Sequence, residues 1–440
     1  MRNPGRDGHR KKRCGGRGPG KPGSGKNAPI RIIEAEITAI GSQGDGVAHD
    51  DDGVLHVPYT VPGDRVRLTL GKGGSVIKVD RLSGGDGRVA PACSHFAICG
   101  GCALQHVRDG DYEAWKRDRV IDALGKRGLH VTIDDMIRIP PGVRRRVRLG
   151  AQATQKGVVL GFKQGGSHHL VDITECPVTS PGIVALLPRL RAVLEECLAP
   201  GAAAEISVTL AGSGLEVVVE TISPLEMAER VRLAQWAEEV DLARLAWGGE
   251  TVVQRRAVQV TVSGITVDLP EGAFLQPSQD GAAALEGFVL DALRGSQSVA
   301  DLYAGWGPFG LALAASGKTV QAYESDPAQI NALTGAALRA GLDQKITAWE
   351  RDLRHRPLLA DDLAGLDGLV LDPPRAGAME QVGELAISAI ATLVYVSCNP
   401  ASFARDARVL VDGGYQLERV TPVDQFLWSP HVELAAMFRR

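Results

Sequence analysis

The chain has 440 residues, enough for two or three domains, and its 44% hydrophobic content can furnish real cores. A formal net charge of −3 excludes a global positive field, so any nucleic-acid binding must rest on local basic patches. No apolar run approaches the roughly 20 residues that span a bilayer, and the polar, Gly-rich start lacks the apolar stretch of a signal peptide, so no membrane partner is expected. Residues 1–29 gather Arg2, Arg6, Arg10, Lys11, Lys12 and Arg13 among glycines and prolines, with Asp7 as the only acid. Such a stretch cannot bury apolar surface and reads as a disordered basic tail, either merely solvated or an arm that contacts RNA. Residues 30–88 alternate apolar and polar in "IRIIEAEITAI", "GVLHVPYTVPGDRVRLTLG" and "GSVIKVDRLS", the pattern of a small antiparallel β-barrel. Residues 89–268 open on a group of cysteines, continue into a helix within "LQHVRDGDYEAWKRDRVIDALGKRG" and then mix strands and helices. Within them "VRRRVRLG" puts Arg144, Arg146 and Arg148 on one strand face, either a solvated face or a contact for RNA phosphates.

Residues 269–440 have a strand–helix rhythm. The strands are "SVADLYAG", "KTVQAYES", "KITAWERD", "DGLVLDPP", "ATLVYVSC", "QLERVTPVD" and "VELAAMF"; the last two have no helix between them and read as a hairpin. This is a doubly wound α/β sheet closed by an antiparallel strand, and such sheets bind ligands at the carboxyl ends of their strands. The first strand delivers "AGWGPFG", in which Gly305, Gly307 and Gly310 fit G-x-G-x-x-G. The second ends in Glu324, about 20 residues on, where an acid can hydrogen-bond ribose hydroxyls. The third ends in Asp352, the fourth in Asp372 of "DPPRAG" and the fifth in Cys398 of "VSCNP". A nicotinamide dinucleotide and S-adenosylmethionine both suit the glycine turn and acid. The seventh, antiparallel strand and the rigid Asp-Pro-Pro turn, which could clamp a flat base, favour S-adenosylmethionine.

A methylase acting on an amine needs no cysteine, because the amine brings its own lone pair. Carbon 5 of a pyrimidine is too weak a nucleophile. A thiolate that adds to carbon 6 turns it into an enolate whose carbon 5 can take a methyl group. A base must then strip the carbon 5 proton, and "WSPHVELAAMF" offers His431 or Glu433. A free thiol titrates near ~8.5, so the site is expected to favour the thiolate, with Arg375 as a candidate for that role.

Seven cysteines, three of them crowded together, point to metal or catalytic use in a reducing cytoplasm rather than a disulfide scaffold. Cys93, Cys99 and Cys102 have C-x5-C-x2-C spacing, and Cys176 lies in "TECPV". Four thiolates suit zinc or a [4Fe-4S] cluster. Cys197, in "LRAVLEECLAP", reads as helix packing.

The motifs "CSHFAICGGC", "FLQP", "DLYAGWGPF", "LDPPRAG", "VSCNP" and "TPVDQF…SPHVE" together resemble the RNA uracil-5 methyltransferases, in particular the branch that modifies 23S ribosomal RNA and carries an iron–sulfur cluster. The resemblance runs from about residue 30 to the C-terminus. It implies an α/β protein with a TRAM/OB-like β-barrel at 30–88, an α+β domain with the cluster at 89–268, and a class I, Rossmann-like methyltransferase domain at 269–440. It further implies Cys398 as nucleophile, Glu433 as base, and Gln276, Tyr303, Gly305, Gly307, Glu324, Asp352 and Asp372 around S-adenosylmethionine. Cys93, Cys99, Cys102 and Cys176 would hold a [4Fe-4S] cluster, and the helix near 105–125 would pack on the methyltransferase domain. A cytoplasmic monomer acting on RNA is expected. The chain departs from the family pattern at Pro308, where Asn is common, and at Ser278 of "FLQPSQ", again an Asn position. Competing readings are a transfer-RNA uracil methylase, a non-catalytic RNA-binding protein with a methylase-like domain, a cytosine methylase and a radical enzyme. The last two fit less well, because "DPPR" carries no second cysteine and C-x5-C-x2-C differs from the radical C-x3-C-x2-C.

Overall fold

The structure is a computed structural model that describes residues 31–440; the basic tail lies outside the described residues. Residues 31–83 form two three-stranded antiparallel sheets. One orders Arg31–Glu36, Arg65–Leu70 and Val76–Ser83, and the other Ala39–Ile40, Gly46–Asp50 and Gly53–Val57. Their inward residues, among them Ile37, Ala48, Val57, Val66 and Leu68, meet in one core. The alternation seen in the sequence thus makes two small sheets closed over a shared core, without a continuous hydrogen-bonded barrel.

The middle of the chain builds a seven-stranded sheet from Arg146–Thr154 to Glu250–Gln254, and helices Pro181–Cys197 and Met227–Glu239 cover it. Cys197 is buried in this core, as its helical context suggested. Only two of the three arginines lie within a strand. The strand starts only at Arg146, so Arg144 escapes the alternation and donates from Nε to the Arg146 carbonyl at 3.0 Å. Arg148 is neutralised by Glu205 at 2.5 Å and Glu220 at 2.9 Å.

The remaining sheet contains the seven expected strands: β1 (Ser298–Leu302), β2 (Thr319–Glu324), β3 (Ile346–Glu350), β4 (Gly368–Leu371), β5 (Thr392–Ser397), β6 (Gln416–Asp424) and β7 (Glu433–Arg439). They lie in the order β3-β2-β1-β4-β5-β7-β6, with β7 antiparallel to both neighbours and a short strand, Ile137–Arg138, added beside β6. Both faces are covered, which is why the inner strands read as near-continuous apolar runs. Val299, Val370, Val394 and Val396 face one core, and Leu302, Leu371, Leu393 and Tyr395 face the other. The helix Asp109–Gly125 joins the second core through Val120 and Leu124, as the resemblance implied. The hairpin Gln259–Val262 and Ile265–Asp268, which sequence placed with the middle of the chain, instead buries Val260, Val262 and Val267 in the first core beside Leu285 and Val289. No helix among the described residues is long and apolar enough to cross a membrane.

Candidate active site

The polar groups named at the strand ends reach one edge of this sheet. Leu302 pairs with Leu371 and Tyr323, and Leu371 pairs with Tyr395, so Tyr303, Glu324 and Asp372 leave their strands at neighbouring points. Ser397 lies opposite Leu434 in the antiparallel β5–β7 pair, which sets Cys398 across from Glu433. Cys398 is half-buried and Glu433 buried. Two side-chain hydrogen bonds stitch the "VSCNP" and "DPPR" turns together: Asn399 Nδ2 and Ser402 Oγ donate to the Arg375 carbonyl at 3.1 and 3.0 Å. Asn399 also caps the helix Pro400–Asp412 by accepting from the Ala401 N–H at 3.1 Å. The chain therefore turns sharply at Cys398 and exposes the thiol at the strand end.

The electrostatics differ from the expectation of a depressed thiol. Burial, then the carboxylates of Glu433 and Asp372, push Cys398 up to about 11, and Arg375 opposes them without prevailing. Arg375 is exposed, so solvent screens it, whereas the carboxylates share the sheltered strand edge. Burial raises both carboxylates above the usual range, and Asp372 raises Glu433 further. Two acids this close are expected to share a proton near neutrality. Below about pH 11 the thiolate fraction grows tenfold per pH unit. Covalent attack by Cys398, followed in a single turnover with RNA, is therefore expected to accelerate steadily from neutral to alkaline pH; a flat profile would contradict this electrostatic picture. His431 is pushed down to about 4 by burial and by Arg375, whose Nη2 lies 3.4 Å from its Nδ1.

Beside this group the first strand opens a glycine turn. Gly307 has φ +90° at the start of helix Pro308–Ala315, and a Cβ there would meet the Leu333 side chain at 2.7 Å. Tyr303 is also left-handed, at φ 60°, a strained position for a residue with a side chain. Glu324 accepts from the backbone N–H groups of Gly305 at 3.0 Å, Ser325 at 2.7 Å and Asp326 at 3.0 Å. Gln276 Nε2 reaches Asp372 Oδ2 at 3.4 Å. Asp352 stands at the outer edge, half-exposed and paired with His355 at 2.7 Å. Both departures from the family pattern fall at helix starts. Pro308 occupies the first helical position, where an N–H has no intrahelical partner. Ser278 caps helix Gln279–Ala292 by accepting from the Gly281 N–H at 3.0 Å.

Residues 357–440 match the family described as tRNA (Uracil-5-)-methyltransferase. The 23S rRNA (uracil(1939)-C(5))-methyltransferase RlmD of Chromohalobacter salexigens is 34% identical over 92% of this chain and 88% of its own. The chain belongs to the RNA uracil-5 methyltransferases. An uncharacterized RNA methyltransferase of Caulobacter vibrioides is 45% identical over 92% of this chain and 99% of its own. Among solved structures, the Pyrococcus abyssi tRNA (uracil-54, C5)-methyltransferase in complex with S-adenosyl-L-homocysteine superposes with a TM-score of 0.72 at 23% identity, covering 92% of this chain and 100% of that one. The family takes its methyl group from S-adenosylmethionine, and the glycine turn and acids described above lie where a Rossmann-like sheet holds such a ligand.

In this family member the four cysteines come together around one cavity of about 330 Å³, walled by Cys93, Cys99, Cys102 and Cys176 with Arg144 and His431. The loop carrying three of them is pinned to the middle sheet, where the Gly100 N–H donates to the Lys163 carbonyl at 2.9 Å. A Cβ on Gly100 would strike that carbonyl at 2.8 Å. Across the cavity Glu175 accepts from the Ser94 N–H at 2.7 Å, and Thr179 Oγ1 donates to Cys176 Sγ at 3.2 Å. Burial raises the thiols of Cys93 and Cys99 and pushes Cys102 up to about 12. No group of three or more cysteine, histidine, aspartate or glutamate side chains among the described residues closes into a metal site as it stands.

Sequence reasoning missed two polar residues here. Asp301, buried within β1, is pushed up to about 8 by burial, and a Cβ on Gly310 would stand 2.8 Å from its Oδ2. An acid inside the apolar run "SVADLY" was a visible signal. Gln425 donates from Nε2 to Gln276 Oε1 at 2.7 Å and to Glu433 Oε2 at 3.0 Å. Nothing in "TPVDQF" marked it, because its partners lie in other elements.

Proposed function

We propose that this protein methylates carbon 5 of a uridine in 23S ribosomal RNA, with Cys398 as nucleophile and Glu433 as base. The observation that carries the reading is the meeting of Cys398, Glu433 and Asp372 at the ends of β5, β7 and β4, beside the glycine turn. Cys398 Sγ bonds to uracil carbon 6, and the ring electrons move onto the carbon 4 oxygen as an enolate. Bound S-adenosylmethionine would supply the methyl group to carbon 5, its S–CH3 bond breaking with the electron pair left on sulfur, so that neutral S-adenosylhomocysteine departs. Glu433 then removes the carbon 5 proton, the 5,6 double bond re-forms and the thiolate leaves. His431, with its lowered basicity and its place in the cysteine cavity wall, suits the role less well. Gln276, Tyr303, Gly305, Gly307, Glu324, Asp352 and Asp372 are assigned to the donor pocket. Ribosomal RNA is favoured by the RlmD relative, which matches nearly the whole chain. Unmodified 23S RNA and transfer RNA, each incubated with labelled donor, should give 5-methyluridine from the ribosomal substrate. Label in 5-methylcytidine would sink the uracil reading, and label only in transfer RNA would move the substrate.

The four cysteines around the cavity are assigned to a [4Fe-4S] cluster, on their number and on the C-x5-C-x2-C spacing with Cys176 as the fourth. Zinc holds its thiolates at about 2.3 Å and so crowds them within a few ångströms of each other. A cluster places its ligands on different irons, so each of the four thiols that line the cavity could take one. The methyl transfer needs no electron from it. Its contribution would be to tie the loop at 93–102 to the "TECPV" turn. Anaerobically purified protein is expected to be brown, with iron and sulfide in equal amounts; stoichiometric zinc would overturn the assignment.

A further inference from the structure

A buried polar network joins the helix Asp109–Gly125 to the turn that leads into Glu433. Lys116 and Asp424 are both fully buried, and their side chains pair. Lys116 Nζ also donates to the Phe426 carbonyl at 2.9 Å. One helical turn away, Tyr112 OH donates to Asp424 Oδ2 at 2.6 Å and accepts from the Trp428 N–H at 2.8 Å. The turn is thus gripped at Asp424, Phe426 and Trp428. Gln425, inside the gripped segment, is buried and bridges Gln276 and Glu433.

Such a network is a costly way merely to dock a helix. Burial pushes Lys116 down to about 8, against the pull of Asp424. A buried ion pair contributes little net stability relative to an apolar pair of similar size. Val120 and Leu124 of the same helix already pack into the core. What the polar network adds is direction, because hydrogen bonds to defined backbone and side-chain atoms fix a turn that apolar contacts would leave free to slide.

We propose that Tyr112, Lys116 and Gln425 are positioning residues for the carboxylate of Glu433: the helix fixes the turn, and Gln425 carries that placement to the base. The proposal rests on the roles assigned to Cys398 and Glu433 above. It concerns one step. The bond between carbon 5 and its hydrogen breaks and the proton passes to Glu433; the electron pair forms the 5,6 double bond; the bond from carbon 6 to Sγ breaks and its electrons leave on Cys398. A carboxylate displaced by about 1 Å slows this step without touching the earlier attack or methyl transfer.

The test uses the full-length protein and the variants Lys116→Met, Tyr112→Phe and Gln425→Leu, with Glu433→Gln as reference and circular dichroism to verify folding. Single turnovers with RNA and labelled donor are quenched in denaturant, and labelled protein–RNA adduct is separated from free methylated RNA. Folded Lys116→Met and Tyr112→Phe should form adduct within about threefold of the wild-type rate and release it at least about tenfold more slowly; Gln425→Leu, which also unties Gln276 of the donor pocket, should slow release more than formation. A merely structural role would lower formation and release together. Release at the wild-type rate, or equal loss of both steps in folded protein, overturns the proposal. If Lys116→Met does not fold, Tyr112→Phe, which loses only a hydroxyl, carries the same expectation. If Glu433→Gln itself releases normally, it is the assignment of the base that falls, and the brace with it. If Glu433→Gln stalls and the brace variants do not, the brace alone falls.

Discussion

Replacing Cys398 with alanine is expected to abolish formation of 5-methyluridine, lowering turnover by at least about 10⁴-fold, because a nucleophile that opens the reaction has no substitute. The site offers no alternative route. Carbon 5 becomes reactive only once carbon 6 is saturated, and the other groups at this edge are carboxylates, far weaker nucleophiles toward a ring carbon. The substitution should leave the fold intact. The turn is held by Asn399 and Ser402, with Asn399 capping the following helix, and β5 ends before the cysteine. Trimming a half-buried thiol to a methyl group costs no more than about 1 kcal/mol. Thermal unfolding and affinity for the methyl donor should therefore match the parent while nucleoside analysis finds no product. A residual rate within tenfold of the parent would return Cys398 to a packing role.

The strands of the methyltransferase sheet were legible because each inner strand is buried on both faces and so announces itself as an apolar run. A residue at or just past its carboxyl end can be polar, because the chain emerges there into a cleft. That rule alone located Glu324, Asp372 and Cys398. The neighbours that set their chemistry were not legible. The thiol is raised first by burial and then by Glu433, which β7, antiparallel to β5, brings to it, and that pairing depends on register, which no local pattern encodes. The same holds for Lys116 with Asp424 and for Gln425 with Gln276, where the partners lie far apart in the chain. In the sequence a buried lysine looks like one more charge on an amphipathic helix.

The arginine face failed for a different reason. Alternation predicts a shared face only inside a strand, and the strand begins at Arg146, so Arg144 lies outside the alternation, although it and Arg148 both line the cysteine cavity. Pro308 and Ser278 carry the opposite lesson. Both looked like losses at ligand-contact positions, yet each meets the requirement of a helix start, so the backbone that shapes the cleft is kept.

Glu433→Gln should separate bond formation from bond release. Glutamine matches glutamate in size and can still accept a hydrogen bond from Gln425 Nε2, which holds Glu433 Oε2 at 3.0 Å. It cannot take up a proton. The attack by Cys398 and the methyl transfer should proceed, and the methylated adduct should then persist, with release slowed by about 10²–10⁴-fold, the usual worth of a positioned base. The protein should be at least as thermally stable as the parent. Burial and Asp372 raise Glu433 in the folded state, so the folded protein retains a proton that the unfolded chain releases, and this carboxylate becomes a growing burden as pH rises through its raised folded value. Removing its charge removes that burden and one side of a like-charge pair. The thiol should respond as well: with one neighbouring carboxylate gone, Cys398 should ionise more readily, and adduct formation in Glu433→Gln should be no slower than in the parent. A denaturation-resistant, methyl-labelled adduct that forms quickly and decays slowly would carry the expectations for attack and release, and a thermal unfolding curve the one for stability. Normal release would place the proton acceptor on Asp372, the other acid that acts on Cys398.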